Sequence, residues 1–171
     1  IAKSINKTYI KKNKTIIIGL AGGQGSGKST IAQILKLILK TKYKLNSVNL
    51  SIDDFYKTLK ERKKMSINVN KLFLTRGVPG THDTKFLYKT IKLLTKKKFR
   101  SSRIPTFDKS VDDRSPKSKW IKIKIKPNII IFEGWCVGAK KQSKKLLEKP
   151  INLLEKKFDK QKNWRNRVNK E

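Results

Sequence analysis

The chain of 171 residues is long enough for one domain, and its 36% of hydrophobic residues can form one core. Its 44 Lys and Arg residues against 12 Asp and Glu residues give a formal net charge of +32, and its single cysteine excludes an internal disulfide framework. No apolar run approaches the roughly 20 residues that cross a bilayer, so we expect a soluble protein without a membrane partner. The cysteine content favours the cytoplasm, or an organelle if the acid-free N-terminal third keeps part of a transit peptide.

The positive charge is spread along the whole chain, and only seven of the 44 basic residues are arginines. Dispersed lysines make a solvated surface rather than a binding stripe, so a specific nucleic-acid partner is not indicated. A dedicated polyanion site is the alternative. The net charge should attract small anionic substrates by long-range electrostatics, whereas nothing in the pattern indicates an oligomeric state.

The first 14 residues are polar and basic and predict a mobile arm or an edge extension, outside a domain that covers residues 15–171. That domain begins with the apolar segment from Thr15 to Leu20, which is typical of a buried parallel strand. A glycine-rich segment follows, and then a helix. The helix should bury one face, formed by Ile31, Ile34, Leu35 and Ile38.

The glycine-rich segment fits the pattern G-x-x-x-x-G-K-[ST] of a phosphate-binding loop. In such a loop the backbone N–H groups point at the α- and β-phosphates, the lysine reaches the β- and γ-phosphates, and the hydroxyl at the last position ligates Mg²⁺. The sequence therefore predicts ATP and Mg²⁺ as cofactors, with Lys28 in a catalytic role and Ser29 on the metal. The predicted ATP-binding residues are Gly22, Gly23, Gln24, Gly25, Ser26, Gly27, Lys28, Ser29 and Thr30.

Two further strands are predicted to end in carboxylates. The segment from Leu45 to Leu50 precedes Asp53 and Asp54, and the segment from Asn128 to Phe132 precedes Glu133. Ligands of open α/β sheets bind at the carboxyl ends of the strands, so these carboxylates should meet the phosphate-binding loop in one crevice. The predicted fold is a three-layer α/β domain with a parallel sheet. A kinase needs one carboxylate beside the acceptor hydroxyl and another near the metal, and this chain supplies both.

The segments between these strands predict loops and helices. A loop with one proline and two glycines runs from Arg76 to Asp83, and Asp83 is placed to N-cap a helix. Residues 99–118 predict a long loop that is too polar to be core, and loops of this length are usually functional or disordered. Beyond residue 139 the chain is Lys-rich and predicts helix. A half-buried strand is predicted from three isoleucines that alternate with lysines, Ile121, Ile123 and Ile125.

Several of these segments resemble the phosphoribulokinase/uridine kinase/pantothenate kinase group of P-loop kinases. Within that group the chain is most similar to D-glycerate 3-kinases, from about residue 15 to its end. The motifs that carry the resemblance are Ser51-x-Asp53-x-Phe55-Tyr56, Arg76-Gly77-x-Pro79-Gly80-Thr81-His82-Asp83, Pro105-x-Phe107-Asp108-Lys109-Ser110 with Asp113-Arg114, and Glu133-Gly134-Trp135-Cys136-x-Gly138.

The resemblance implies transfer of the γ-phosphoryl group of ATP to a hydroxyl of a small anionic acceptor, D-glycerate. It implies that Asp53 is the catalytic base, with Asp54 as the fallback, and that Glu133 helps to hold Mg²⁺. The residues that it implies around the acceptor are His82 and Asp83, which would line the site, and Arg76, Lys109 and Arg114, which are candidates for the substrate carboxylate. Arg114 is the strongest of these three, because a guanidinium matches a carboxylate bidentately and arginine is scarce in this chain.

Two other functions stay open. A kinase of the same group could act on a nucleoside or on a pantothenate-like molecule. Alternatively, the chain could be a basic ATP-binding protein that associates with RNA, in which case the charge of +32 would be its main feature.

The resemblance also implies a five-stranded parallel sheet, of which the sequence predicts only three strands. After Phe132 the longest apolar stretches are the pairs Leu146-Leu147 and Leu153-Leu154, which are too short for a buried strand. The lid and the adenine-side residues of the family would lie in the same absent part. We therefore expect the 171 residues to be inactive alone, or to need a partner chain that supplies the missing edge.

Overall fold

The structure is a computed structural model that describes residues 1–171, with seven strands and six helices. The strands are β1 (Ile16–Ala21), β2 (Ser47–Ser51), β3 (Ser102–Ile104), β4 (Phe107–Asp108), β5 (Asp113–Arg114), β6 (Ile121–Ile123) and β7 (Ile129–Gly134). The helices are α1 (Ala2–Lys12), α2 (Lys28–Tyr43), α3 (Leu59–Asn68), α4 (Thr84–Leu94), α5 (Leu153–Phe158) and α6 (Asn163–Lys170). Short 3₁₀ turns lie at Ile52–Phe55, Lys71–Leu74, Lys117–Lys119 and Lys144–Leu147.

A parallel sheet with the strand order β1-β7-β2 forms the centre of the domain. Its middle strand β7 buries Ile129, Ile130 and Ile131 completely, as expected for a parallel strand that is covered on both faces. The register sets Ala21 beside Gly134 and Ser51 beside Glu133, so the carboxyl ends of all three strands lie at one edge of the sheet. The prediction of a parallel α/β fold is thus confirmed.

Helices cover both faces of this sheet and give the predicted three layers. Successive residues of β7 point to opposite faces, so that Ile129 and Ile131 pack under α1 and α2, while Ile130 packs against α4 and β3. The two hydrophobic clusters therefore meet only across the sheet. None of the helices is both long and apolar enough to cross a bilayer.

The first 14 residues differ from the expected arm or edge extension. Residues 2–12 form α1, which buries Ile5 in the cluster under α2. The hydroxyl of Tyr9 also accepts a hydrogen bond from Nδ2 of Asn128, at 2.6 Å. The apolar residues of α1 are few among its lysines, but their spacing places Ile5 and Tyr9 on the same side of the helix.

The buried face of α2 is only partly the predicted one. Ala32, Leu35 and Leu39 face the sheet, whereas the predicted Ile31, Ile34 and Ile38 are between 37% and 53% exposed. The small Ala32 lets the helix lie close to the sheet. The neighbouring stripe of isoleucines has no other element of the structure to pack against, and β1 beside it is the edge strand.

Residues 99–118 also differ from expectation, whereas the strand predicted from the three alternating isoleucines forms but is less buried than expected. The polar segment contains β3, whose Ile104 is buried in the core cluster next to α4. β3 pairs antiparallel with β6, and only Ile123 of β6 packs against that cluster. Ile121 and Ile125 are exposed, because this ribbon has two strands and its outer residues meet no further layer.

Gly134, at the end of β7, provides a stability test of this strand-end packing. A Cβ atom at this position would lie 2.4 Å from Cγ2 of Ile52, inside the core between β7 and the turn after β2. We expect Gly134→Ala to lower the free energy of unfolding by about 1–3 kcal/mol through overpacking, measured by urea or thermal unfolding. Gly23→Ala is the matched control, since a Cβ there meets nothing within 4 Å; an equal loss in both variants would contradict this account.

Candidate active site

The phosphate-binding loop lies between β1 and the first residue of α2. Gly27 precedes the helix with φ at 77°, in the left-handed region that glycine adopts without strain, and no side chain caps the helix N-terminus. Free N–H groups at a helix start are suited to bind an anion. In this structure Nζ of Lys28 and the hydroxyl of Ser26 both donate to the carbonyl of Gly23, at 2.6 and 2.8 Å. The lysine therefore already folds back over the loop where phosphates would lie.

Ser29 and Glu133, the two predicted metal residues, are in direct contact. The hydroxyl of Ser29 lies 3.1 Å from each carboxylate oxygen of Glu133. Glu133 is only 8% exposed and takes part in none of the ion pairs of the structure. A buried carboxylate without a cationic partner is unfavourable, so this position is suited to a cation.

No group of three His, Cys, Asp or Glu side chains is arranged to hold a metal ion. Mg²⁺ bound to a nucleotide needs no such group, because it takes one or two protein ligands together with phosphate and water oxygens. The pair of Ser29 and Glu133 beside the phosphate-binding loop fits that mode of binding.

Asp53 and Asp54 follow β2 on a 3₁₀ turn that Ser51 caps. The side chain of Asp53 is 34% exposed and pairs with Nζ of Lys109 at 3.1 Å. Asp54 instead accepts the backbone N–H of Phe107 at 3.1 Å, and burial raises its pKa against the opposing effect of that hydrogen bond. The more exposed carboxylate is therefore Asp53, whereas Asp54 is engaged in holding the chain near β4.

His82 lies behind Asp53 rather than on the surface. It is 1% exposed and stacks on Tyr56 with the ring centroids 4.4 Å apart. Burial lowers the pKa of His82 to about 4, and the nearby negative charge of Asp53 opposes this only in part. The imidazole is therefore neutral at pH 7, and its role in a site for anions would be hydrogen bonding rather than charge.

The three basic residues predicted near the acceptor all lie around one short hairpin, β4 and β5 with their turn, residues 107–114. Arg114 donates to the carbonyl of Tyr56 at 2.8 Å and pairs with Asp83 at 3.5 Å. Lys109 pairs with Asp53, and Arg76 with Asp112. Asp83 also N-caps α4 as predicted, since it accepts the N–H of Phe86.

A cavity of about 640 Å³ adjoins this region between the loop after Gly77, the segment after β7 and the C-terminal helices. His82, Trp135 and Cys136 line it, together with apolar and charged residues of the C-terminal segment, Arg165 among them. Cys136 is half-buried, and burial raises the pKa of its thiol. A thiol of this kind is not activated for chemistry.

No sequence pattern singled out Arg62, and none gave Asp112 a specific role. Arg62 is completely buried and pairs with Asp112, which also pairs with Arg76. The scarcity of arginine was a usable signal, since three of the seven arginines lie next to the hairpin. The partner of a buried arginine, however, could not be read from spacing alone.

Comparisons with known proteins point in one direction. The sequence model of the Phosphoribulokinase / Uridine kinase family matches residues 17–157. The chain is 38% identical over 145 residues to the uncharacterized kinase mug58 of Schizosaccharomyces pombe, covering 81% of this chain and 52% of that protein. It is 34% identical over 134 residues to the chloroplastic D-glycerate 3-kinase of Arabidopsis thaliana, covering 73% of this chain and 29% of that protein.

A solved structure of D-glycerate 3-kinase from Cryptococcus neoformans superposes with a TM-score of 0.75 at 26% identity. The match covers 86% of this chain and 54% of that one. The chain thus spans about half the length, or less, of these similar proteins.

Proposed function

This chain belongs to the phosphoribulokinase/uridine kinase family, and we propose that it takes part in ATP- and Mg²⁺-dependent phosphorylation of a hydroxyl on a small anionic acceptor, with D-glycerate as the first candidate. The observation that carries the proposal is the contact between Ser29 and Glu133 beside the phosphate-binding loop, with Asp53 at the end of the adjacent strand. Positioning and charge neutralisation are the main requirements of phosphoryl transfer, and these groups supply both.

The nucleotide would bind at the N-terminus of α2. The N–H groups of residues 22–30 would receive the phosphates, and Lys28 would exchange its bond to Gly23 for the β- and γ-phosphates. Ser29 and Glu133 would hold Mg²⁺, which when bound neutralises charge on the phosphates.

Asp53 would accept the proton of the acceptor hydroxyl. Its carboxylate is partly exposed, and its single ion pair is with the exposed Lys109, a contact that an incoming anion can replace at little cost. Asp54 is less suited, because its carboxylate is partly desolvated and already accepts the N–H of Phe107. Asp53 is thus proposed as the base because it is accessible, whereas Asp54 holds the backbone of Phe107.

An anionic acceptor agrees with the cations of the hairpin, which contacts Asp53 through Lys109. Arg114 and Lys109 lie on the same hairpin, and a neutral His82 behind Asp53 can donate or accept a hydrogen bond without repelling or attracting charge. The name of the Arabidopsis relative points to D-glycerate among small anions.

A coupled assay of ADP release tests the proposal with D-glycerate, glycerol, uridine and pantothenate as acceptors. Because the chain spans about half the length of its relatives, the assay is run on these 171 residues and on the longest polypeptide that contains them. Release with D-glycerate but not with glycerol, which lacks the carboxylate, supports the proposal. ADP release with uridine or pantothenate alone would identify that compound, rather than D-glycerate, as the acceptor. Binding to a polynucleotide that persists at about 0.2 M salt, without any acceptor-dependent release, would favour the RNA-associated alternative.

Arg114 is expected to contact the carboxylate of the acceptor. Arg114→Leu should raise the apparent KM for the anionic acceptor by about tenfold and leave that for ATP unchanged, because the lost contact is with one substrate only. Arg103→Leu is the control, since Arg103 lies exposed in β3 and donates only to the carbonyl of Lys117. Equal effects of Arg114→Leu on both KM values would instead place this residue near the nucleotide phosphates.

A further inference from the structure

Arg62 is the buried residue of α3, a helix that is otherwise lysine-rich and polar. It is 0% exposed, although arginine is almost never fully buried unless it is paired. An apolar side chain at this position would be expected if packing of α3 were its only task. The contacts of the guanidinium therefore need an explanation.

The guanidinium of Arg62 joins three separate segments. Nε donates to the carbonyl of Lys57 at 3.3 Å, and Nη1 donates to the carbonyl of Leu74 at 2.7 Å. Nη1 also donates to the carboxylate of Asp112 at 3.0 Å, and Nη2 donates to the backbone carbonyl of Asp112. A lysine could not replace this set, because its donors radiate from one atom, whereas those of arginine form a planar fork.

Asp112 lies in the turn of the hairpin at residues 107–114, which carries Lys109 and Arg114. Each strand of this hairpin has two residues, which is too short to be stable without tertiary contacts. Asp112 has φ at 53°, a left-handed conformation that is uncommon for a residue other than glycine. Its carboxylate receives both Arg62 and Arg76, and these hydrogen bonds hold its pKa below the ordinary range although burial acts in the opposite direction.

We infer that Arg62 is a positioning residue for acceptor binding, which acts through Asp112 to fix the hairpin that presents Lys109 and Arg114. Arg76 belongs to the same support, because its guanidinium is committed to Asp112 and lies over the ring of Phe107 at 5.4 Å. The inference rests on the proposed function, since it concerns the anionic acceptor. It adds that the placement of Lys109 and Arg114 depends on an ion pair between the buried Arg62 and the partly exposed Asp112.

A purely structural role is the competing explanation, because removing a partner of a buried charge such as that of Arg62 destabilises a protein whatever its function. The chain offers a matched control in Arg165 of α6. This residue is 6% exposed and lies near Glu155 and Asp159, with a hydrogen bond from Nε to the carbonyl of Leu147. None of its hydrogen bonds reaches the hairpin.

The experiment compares Arg62→Lys, Asp112→Asn and Arg165→Lys by two readouts. Steady-state kinetics should show that the first two variants raise the acceptor KM about tenfold and change the ATP KM less than about twofold. Hydrogen exchange should become faster at the amides of Phe107 and Ser115, which bond to Asp54 and to the carbonyl of Thr106. Arg165→Lys should lower the melting temperature but change neither the acceptor KM nor the hydrogen exchange of these two amides.

Equal behaviour of Arg62→Lys and Arg165→Lys in both readouts would overturn the inference, as would faster exchange at the hairpin with an unchanged acceptor KM. If Arg62→Lys does not fold, Asp112→Asn decides, since it leaves the buried guanidinium with the carbonyls of Lys57 and Leu74. Absence of acceptor-dependent ADP release from the unmodified protein would refute the proposed function instead. In that case the exchange readout still decides whether Arg62 fixes the hairpin.

Discussion

Replacing Asp53 with asparagine should lower the rate of phosphoryl transfer by about 100-fold or more and change the apparent KM for ATP by less than about twofold. Asparagine has nearly the same shape but cannot take up the proton of the acceptor hydroxyl. The fold should tolerate the change, because the only ion pair of Asp53 is with the exposed Lys109, and such pairs contribute about 0–1 kcal/mol. Steady-state ADP release, with each substrate varied in turn, measures both constants.

Asp54→Asn is the control for this prediction. An asparagine there can still accept the N–H of Phe107 through its side-chain oxygen, so the hairpin should stay in place. Transfer should therefore fall much less than with Asp53→Asn. A large loss with Asp54→Asn and a normal rate with Asp53→Asn would show that the base is Asp54.

The central part of the fold could be predicted from sequence because its signals are local. Three apolar segments become β1, β2 and β7, and the pattern of glycines with Lys28 defines the loop after the first of them. Ligands of parallel sheets bind at the strand ends, and this rule predicts the proximity of Ser29 and Glu133 that the structure shows. These inferences needed only a few consecutive residues and one rule of topology.

The remaining errors concern burial, which depends on partners that are distant in the chain. Ile31, Ile34 and Ile38 have perfect helical spacing but no element of the structure to cover them. Conversely, Ile5 and Ile104 lie in polar segments and are buried, because α2 and α4 provide apolar surfaces for them. Spacing shows that a face exists, but the neighbouring elements decide whether that face is buried.

Sequence patterns proposed the residues of the candidate site but only a few of their contacts. The Arg62–Asp112 pair spans 50 residues, and both members resemble ordinary surface charges in a chain with 44 basic residues. Lys109, Arg114, Asp53 and Asp83 were all candidates from the sequence, but the pairing of Lys109 with Asp53 and of Arg114 with Asp83 was not predicted. Pairings of this kind depend on which loops fold next to each other, which single-sequence patterns do not encode.

Lys28→Ala should reduce ATP turnover by about 100- to 1,000-fold, because a charge that stabilises the phosphates during transfer is lost. Steady-state ADP release measures the turnover, and a fluorescent ATP analogue measures the binding of the nucleotide. The fold should remain, since Lys28 contributes one hydrogen bond, to the carbonyl of Gly23, and no core packing.

Lys36→Ala is the matched control for Lys28→Ala, because Lys36 lies exposed on the same helix α2 and makes no ion pair. It removes the same charge from the same element, so it reproduces any effect that net charge has on attracting anionic substrates. Turnover should therefore stay within about twofold of the unmodified protein in the control and fall only in Lys28→Ala. Loss of the far-ultraviolet circular dichroism signal in Lys28→Ala would show a structural role for this lysine. Equal turnover in the two variants would show that the loop does not act on the phosphates of ATP.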